Sequence, residues 1–233
     1  EAVPKDISFT AKAGETLAII GSTGSGKSTL IQLIPRFYDV TGGRVLINGV
    51  DVRQMNSHDL REHIGFVAQK ANLFSGTIEE NIRFGREDAT DEEVRHAAEI
   101  AQAMDFIMDK PKGFQEKIVE GAGNLSGGQK QRLSITRALV RKPDIYIYDD
   151  SFSALDMKTD AMLRQALKSE VKNAVVIIVA QRVSTIMDAD QILVLDEGRL
   201  AAMGRHKELL KECPLYYEIA ASQLSEEELQ NVC

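Results

Sequence analysis

Two adjacent aspartates, Asp149 and Asp150, directly follow the apolar run "IYIY" at residues 145–148. A continuous apolar run of this kind is typical of a strand that is buried on both faces in a parallel sheet. Carboxylates at the end of such a strand can hold a divalent cation or accept a proton from water. A single acid here is as often a solvated loop residue, so its interpretation depends on what else the chain places beside it.

The loop "GSTGSGKST" at residues 21–29 fits the phosphate-binding pattern G-x-x-x-x-G-K-[ST]. The apolar segment "LAII" precedes it and an amphipathic run follows it, which is the strand and helix context that the pattern requires. Glycines let successive backbone N–H groups face phosphate oxygens, the lysine reaches the β- and γ-phosphates, and the serine can ligate Mg²⁺. The residues predicted to contact a nucleoside triphosphate are Gly21, Ser22, Thr23, Gly24, Ser25, Gly26, Lys27, Ser28 and Thr29. Kinases, GTPases and many ATPases share this loop, so it predicts the ligand and not the reaction.

The phosphate loop gives the two aspartates separate roles. Such loops work with an acid at the end of a neighbouring apolar strand, which holds Mg²⁺. We therefore predict that Asp149 holds the metal together with Ser28. Asp150 then lies where a general base would polarise the attacking water.

Composition excludes several classes of protein. The net charge is −7 and no dense block of Lys and Arg occurs, which argues against a nucleic-acid partner. No apolar run approaches the ~20 residues that a membrane span needs. The two cysteines, Cys213 and Cys233, lack metal-ligand spacing, so we expect free thiols in a reducing compartment.

Hydrophobic periodicity predicts an α/β core that a helical insert interrupts. Strands and turns alternate over residues 1–72, beginning with "EAVPKDISFTAKAGETLAII", which we interpret as strand, turn and strand. The segment "GGRVLINGVDVRQ" predicts a strand pair with a tight Asn48-Gly49 turn. Residues 73–140 have helical patterns, including a capping box at Thr90 and Glu93, and the α/β rhythm returns over residues 141–233.

Further motifs identify a resemblance that covers nearly the whole chain. "LSGGQ" at residues 125–129 looks like the signature motif of ABC ATPases, Gln69 resembles the Q-loop, and "SALD" at residues 153–156 resembles the D-loop. "LFSGTIEENI" and "GRHKELL" resemble the exporter branch of that family. The resemblance implies one ABC ATPase domain over residues 1–233: a P-loop NTPase, RecA-like core with a parallel sheet, an N-terminal antiparallel β subdomain and an inserted α-helical subdomain.

In the family, two such domains pair head-to-tail around two ATP molecules. The resemblance therefore implies ATP and Mg²⁺ as cofactors, Gln69 as an ATP contact, and Ser28, Gln69 and Asp149 as the magnesium set. It implies that the signature residues contact the partner's ATP and that Asp156 forms the D-loop. Those signature residues are Ser126, Gly127, Gly128 and Gln129.

The exporter branch also implies a membrane domain. In that branch six membrane helices precede each nucleotide-binding domain, and we expect them, with the adenine-stacking aromatic residue, upstream of this sequence. The Q-loop region would contact this transmembrane domain at the cytoplasmic face of the plasma membrane. "VEGAGN" lacks the arginine that usually follows the glutamate here, so these coupling contacts are expected to differ.

Two residues depart from the family pattern in the same site. The family has glutamate after the magnesium aspartate, where this chain has Asp150, and a switch histidine where it has Gln181. Aspartate is one methylene shorter, and misplacing a catalytic group by roughly 1 Å can cost on the order of a hundredfold in rate. Glutamine can donate a hydrogen bond to a phosphate, but it cannot carry a proton or a charge.

These departures predict a heterodimer in which this chain's own site is slow and its intact signature completes a competent partner site. Exporters of this asymmetric kind form a bacterial group that includes many multidrug pumps. A homodimeric exporter domain and a regulatory, nucleotide-holding module remain alternatives. We disfavour an importer subunit and a soluble ABC ATPase that acts on DNA or ribosomes. At the C-terminus, "HKELLKECPLYYEIAASQL" predicts a docking helical run before the solvated acidic end "SEEELQNVC".

Overall fold

The computed structural model describes residues 2–230, which contain ten strands in three sheets. The main sheet has the order β10-β9-β1-β8-β7-β4 and is parallel except for the antiparallel edge strand β10. The strands are β1 Thr16–Gly21, β2 Leu46–Ile47, β3 Val50–Asp51, β4 Ile64–Val67, β5 Gly76–Thr77, β6 Lys117–Ile118, β7 Ile145–Asp149, β8 Val175–Val179, β9 Gln191–Asp196 and β10 Arg199–Gly204. The predicted α/β class with a mostly parallel sheet is confirmed.

Eleven α-helices accompany the strands within the same described range. They are α1 Lys27–Gln32, α2 Ser57–Glu62, α3 Ile78–Arg83, α4 Asp91–Ile100, α5 Met104–Met108, α6 Gly127–Arg141, α7 Met157–Glu170, α8 Val183–Ile186, α9 His206–Glu212, α10 Pro214–Ala221 and α11 Glu226–Gln230. Helices α3 to α6 form the helical insert between β4 and β7. None of the helices in residues 2–230 has the length and apolar character of a membrane span.

Both faces of the main sheet are covered, as the continuous apolar runs predict. In β7, Ile145 and Ile147 join the apolar cluster on one face, whereas Tyr146 and Tyr148 join the cluster on the other. The same alternation divides β1, because successive side chains of a strand point to opposite faces. Strands buried in this way hold their carboxyl ends in fixed positions, and the candidate site lies at these ends.

The capping box and the tight turn that the sequence predicts are both present in the structure. Thr90 accepts from the backbone N–H of Glu93 while the Glu93 carboxylate accepts from the N–H of Thr90, which completes the capping box of α4. Asn48 and Gly49 both have positive φ and close the antiparallel pair β2–β3. A second small antiparallel pair, β5–β6, lies in the helical insert, where we did not predict strands.

The predicted strand at the beginning of the chain is wrong. Residues 2–15 contain no strand, and the sheet begins with β1 at Thr16. Ile7, Phe9 and Ala11 do pack against the apolar core with the expected alternation. The segment makes only isolated backbone bonds, such as Lys5 N–H to Gly198 O at 2.8 Å, so apolar alternation is present here without a hydrogen-bonded ladder.

Candidate functional site

The glycine loop lies between β1 and α1 and curls around a lysine ammonium group. Lys27 Nζ donates to the carbonyl oxygens of Gly21 at 2.9 Å and Ser22 at 2.7 Å. Gly26 caps α1 with φ 93°, a backbone conformation that favours glycine. A Cβ at Gly21 would lie 2.1 Å from Leu195 O, so β9 leaves no room for a side chain there. The backbone and the cation thus converge on one small region, as phosphate binding requires.

The first aspartate lies beside the loop serine. Ser28 Oγ donates to Asp149 Oδ1 at 2.9 Å, and Asp149 is only 6% exposed. The contact arises because β1 and β7 run parallel on either side of β8, which brings α1 close to the end of β7. The fold therefore unites two oxygen ligands that are 121 residues apart in the sequence.

The second aspartate is held by two glutamine side chains. Asp150 Oδ2 accepts from Gln69 Nε2 at 3.1 Å and from Gln181 Nε2 at 2.8 Å. Asp150 has φ 48°, a left-handed conformation that aspartate adopts more readily than most residues, and its N–H donates to Val179 O at 2.9 Å. Burial raises the pKa of Asp150, while the hydrogen bonds from Gln69, Ser153 and Gln181 act in the opposite direction. The predicted residues Gln69, Asp150 and Gln181 thus form one hydrogen-bonded group.

The oxygen atoms of this site fit Mg²⁺. Among residues 2–230, no group of three or more His, Cys, Asp or Glu side chains could form a protein-only metal cage. Mg²⁺ does not need one, because it is usually held by one or two protein oxygens together with phosphates and water. Ser28 and Asp149 supply such a pair. Gln69 contacts Asp150 through its amide nitrogen, which leaves its carboxamide oxygen as its only atom suited to the metal.

The signature residues cap the longest helix in the described chain. Ser126 accepts from the N–H of Gln129 at 3.2 Å, and Gln129 Oε1 accepts from the N–H of Ser126 at 3.0 Å, which forms a capping box at α6. Ser126 and Gly127 are exposed. A Cβ at Gly128 would lie 3.2 Å from Ala154 O, so the signature packs closely against the D-loop.

The D-loop residue Asp156 begins another helix. Its carboxylate accepts from the backbone N–H of Thr159 at 2.9 Å and from the Thr159 hydroxyl at 2.7 Å. These bonds lower the pKa of Asp156 and keep the exposed carboxylate charged. In this structure Asp156 therefore serves as the N-cap of α7.

Several residues that position the site carry no motif signal. Arg182 donates to the D-loop carbonyls of Ser153 at 3.0 Å and Leu155 at 3.3 Å. The Gln223 side chain bonds to the backbone on both sides of Arg182. The adjacency of Arg182 to Gln181 was the only hint available in the sequence.

The signature helix also holds the segment that follows the Q-loop glutamine. Buried Gln131 donates to Ala68 O at 3.1 Å, next to Gln69. Arg137 donates to Asn72 O at 2.9 Å, and burial lowers the pKa of Arg137 to about 10. Helix α6 thus connects the signature with residues 68 and 72, on the two sides of Gln69.

Comparisons with known proteins place the chain in a family. The profile described as "ABC transporter" matches residues 4–153. The chain is 48% identical over 223 residues to the ABC transporter ATP-binding protein YfiB of Bacillus subtilis, which covers 96% of the chain and 39% of the relative. It is 46% identical over 219 residues to a putative multidrug export ATP-binding/permease protein of Staphylococcus aureus, which covers 94% and 38% of the two chains.

A solved structure has the same fold. The structure of a bacterial Atm1-family ABC exporter with ATP bound superimposes with a TM-score of 0.93 at 42% identity, covering 96% of this chain and 40% of that one. This chain spans about two fifths of the length of the relatives it matches. The match of the family profile, together with a phosphate loop, paired aspartates and a signature helix in one structure, shows that the chain belongs to the ABC transporter family, as a nucleotide-binding domain of the exporter type.

Proposed function

We propose that this chain is the ATP-binding motor domain of a heterodimeric ABC exporter. In this proposal its own phosphate loop forms a slow ATPase site, and its signature completes a competent site on a non-identical partner half-transporter. The observation that carries the proposal is the direct hydrogen bond between Gln181 and Asp150. The two residues that depart from the family pattern contact each other, so both departures affect one catalytic group.

The residues of the own site divide the work of ATP hydrolysis. The glycine loop and Lys27 bind the phosphates, and Ser28 and Asp149, with Gln69, hold Mg²⁺. The metal neutralises charge on the phosphate oxygens when it is bound. Asp150 accepts a proton from the water that attacks the γ-phosphorus, as the bond to ADP breaks.

Two features of Asp150 make this site slow. Its carboxylate is one methylene shorter than the family's glutamate, and its Oδ2 already accepts bonds from two glutamines. Gln181 can donate a bond to the γ-phosphate, but unlike histidine it supplies neither a proton nor a positive charge. Loss of effective general-base catalysis costs about 10²- to 10⁴-fold in rate.

The signature half of the chain has the features that a phosphate contact requires. Ser126, Gly127 and Gly128 offer a hydroxyl and backbone N–H groups at the N-terminus of a 15-residue helix, where the helix dipole favours an anion. Gln129 keeps Ser126 in place through the capping box. In a head-to-tail dimer these groups would meet the partner's γ-phosphate, and the D-loop residue Asp156 would lie between the two sites.

An exposed aromatic pair supports docking of the chain's own transmembrane domain. Phe74 and Phe84 are 43% and 67% exposed, and their ring centroids are 4.7 Å apart. Arg137 lies over both rings and bonds to Asn72 O in the segment that begins at Gln69. A membrane-domain helix that packs on these rings would act on the Q-loop segment. The domain would then work at the cytoplasmic face of the plasma membrane.

The transported substrate is proposed from the relatives. The Staphylococcus aureus relative is described as a putative multidrug exporter, and we propose the same substrate class here. The acidic net charge of −7 supports a protein without a nucleic-acid partner. A homodimeric exporter, or a regulatory module that holds nucleotide without hydrolysing it, would share the same ligands.

Restoring the family residues tests the slow-site proposal. In the full-length transporter, ATP turnover at this chain's own site is measured for Asp150→Glu, Gln181→His and the double variant, as conversion of radioactive 8-azido-ATP to 8-azido-ADP on this chain. We expect the double variant to increase turnover by at least about tenfold at this chain's site, since a general base contributes 10²- to 10⁴-fold. Asp144→Glu is a matched control, because it lengthens an exposed carboxylate just before the opposite end of β7, where it pairs with His63. Unchanged turnover at this chain's own site in the double variant would contradict the proposal.

A further inference from the structure

The segment that carries Gln181 is held from outside the recognised motifs. Residues 181–183 connect the end of β8 to the four-residue helix α8, which begins at Val183. The Gln223 carboxamide spans this segment: its Nε2 donates to Gln181 O at 2.9 Å, and its Oε1 accepts from Val183 N–H at 2.8 Å. Both bonds join positions at least 40 residues apart in the sequence.

Gln223 supplies what the start of α8 lacks. The first N–H groups of a helix have no partner within the helix and are normally satisfied by the side chain of the N-cap residue. The N-cap of α8 is Arg182, which offers no acceptor and makes no side-chain cap bond. The Oε1 of Gln223 therefore takes the place of the cap for Val183.

The elements on both sides of this contact are firmly packed. Val183 is fully buried, and so are Tyr216 and Ala220 in α10, the helix that leads to Gln223. Leu224, the next residue, is partly buried against the same core cluster, and its N–H donates to Ala220 O at 2.8 Å. A side chain held on such a base fixes the backbone that it contacts.

The same short segment connects the catalytic group with the D-loop. Gln181 donates to Asp150 Oδ2 at 2.8 Å, and Arg182 donates to the carbonyls of Ser153 and Leu155. A shift of the backbone at residues 181–183 would therefore move both side chains. Misplacement by roughly 1 Å is enough to reduce catalysis on the order of a hundredfold.

We propose that Gln223 is a positioning residue for the nucleotide site, through which the C-terminal segment sets the placement of the Gln181 carboxamide. Both of these Gln223 hydrogen bonds go to backbone atoms, those of residues 181 and 183, so the residue can act on whatever side chain stands at position 181. The inference rests on the proposed contact of Gln181 with the γ-phosphate of ATP bound to this chain.

The test compares Gln223→Ala with two matched variants in the full-length transporter. Gln223→Glu keeps an acceptor for Val183 N–H but loses the donor to Gln181 O. Ser222→Ala removes a neighbouring side chain whose hydroxyl bonds within its own helical turn, to Ile219 O at 2.7 Å. Backbone hydrogen exchange at Val183 reports the contact directly, without nucleotide. We expect faster exchange in Gln223→Ala and unchanged exchange in Ser222→Ala, and the same exchange in Gln223→Ala as in the unaltered protein would overturn the inference.

Nucleotide affinity separates positioning from a general structural role. Competition of ATP and ADP against photolabelling of this chain by radioactive 8-azido-ATP gives both affinities at its own site. We expect Gln223→Ala and Gln223→Glu to weaken ATP binding roughly three- to tenfold, which corresponds to the loss of one hydrogen bond. Binding of ADP should weaken less than about twofold. The Gln181→Ala variant should have a similar effect, and adding Gln223→Ala to it should weaken ATP binding no further.

The outcomes distinguish the inference from the function on which it rests. The positioning role would be overturned if Gln223→Ala weakened ATP and ADP binding equally, or did not weaken ATP binding at all. It would also be overturned if the effects of Gln223→Ala and Gln181→Ala on ATP binding were fully additive. An effect of Gln223→Ala without any effect of Gln181→Ala would overturn it as well. The slow-site proposal is tested separately, by the turnover of the Asp150→Glu/Gln181→His double variant, and a homodimer would leave the photolabelling comparison interpretable.

Discussion

Asp150 combines burial, a left-handed backbone conformation and two glutamine donors on one carboxylate oxygen. Burial disfavours the charged form of a carboxylate, and hydrogen bonds from amide groups favour it. The net effect is a pKa above the ordinary value of 3.8. A raised pKa favours proton uptake by Asp150, so the proposed slow hydrolysis would come from the short reach and the two bound glutamines and not from low basicity.

The raised pKa predicts the pH dependence of turnover at this chain's site. A general base must be deprotonated, so activity is lost as the pH falls through its pKa, and burial moves this acid limb upward. Removing a donor that stabilises the charged form, with Gln181→Ala, should move the limb further upward. The measurement is conversion of radioactive 8-azido-ATP to 8-azido-ADP on this chain between about pH 4 and 8.

Ser222→Ala is the control for that pH profile, because the Ser222 hydroxyl bonds to Ile219 O within its own helical turn. Its acid limb should coincide with that of the unaltered transporter. If the limb of Gln181→Ala moved to lower pH, the hydrogen bond to Asp150 would raise the pKa of this carboxylate instead of lowering it. If it did not move, a different group would control the limb.

At the scale of the elements, the start of α6 has two separable tasks. Ser126 stabilises the helix as half of a capping box, and the same hydroxyl is proposed to meet the partner's ATP. Ser126→Ala should lose both, at a cost of about 1 kcal/mol in the free energy of unfolding. Ser126→Asp keeps a good cap but directs a negative charge at phosphate, so it should retain stability while turnover at the partner's site falls at least tenfold, as expected when a charge-stabilising group is lost.

Helix α4 offers the matched control for this experiment. Thr90 and Glu93 form the same kind of capping box without any signature residue. Thr90→Ala should reduce the free energy of unfolding by a similar amount, measured by denaturant titration of the domain, and leave turnover of the intact transporter unchanged. Full turnover in Ser126→Asp would contradict the proposed role of the signature hydroxyl.

The elements also show which features the sequence can predict. The phosphate loop, the capping box at Thr90 and the Asn48-Gly49 turn are specified by residues a few positions apart, so pattern and turn chemistry predict them. The continuous apolar runs likewise predicted the buried strands of the sheet. The strand predicted at the beginning of the chain is absent from residues 2–15, although Ile7 and Phe9 place their side chains against the core in the alternation of a strand.

Contacts between distant side chains and backbone atoms lie outside the reach of pattern analysis. Gln223 meets Gln181 across 42 residues, and Gln131 meets Ala68 across 63. Neither glutamine differs in type or spacing from an ordinary exposed residue of a helix. The motifs predict which side chains do the chemistry, whereas the residues that hold them in place can be found only once β4, β7 and β8 are aligned in the sheet.

At the scale of the whole molecule, the proposed slow site and the intact signature are hard to reconcile if the chain pairs with itself. In a homodimer both sites would combine Asp150 and Gln181 with a complete signature, and all hydrolysis would depend on the altered pair. In a heterodimer the signature of this chain serves a phosphate loop that has its own glutamate and histidine. We favour the heterodimer because it gives the intact signature of this chain a competent site to complete, while the altered pair Asp150 and Gln181 need not support the full rate of hydrolysis.

Native mass spectrometry of the full-length complex, extracted mildly from its host through this chain, decides between the two arrangements. We expect a one-to-one complex with a second half-transporter that has glutamate and histidine at the positions of Asp150 and Gln181. Turnover of that complex should fall by more than about tenfold when the partner's glutamate is replaced, because a general base contributes at least a hundredfold. The same replacement at Asp150 should change it little, since this site supplies a small share of the total. A complex of two identical chains would contradict the heterodimer, and Asp150 with Gln181 would then have to support the full rate of ATP hydrolysis.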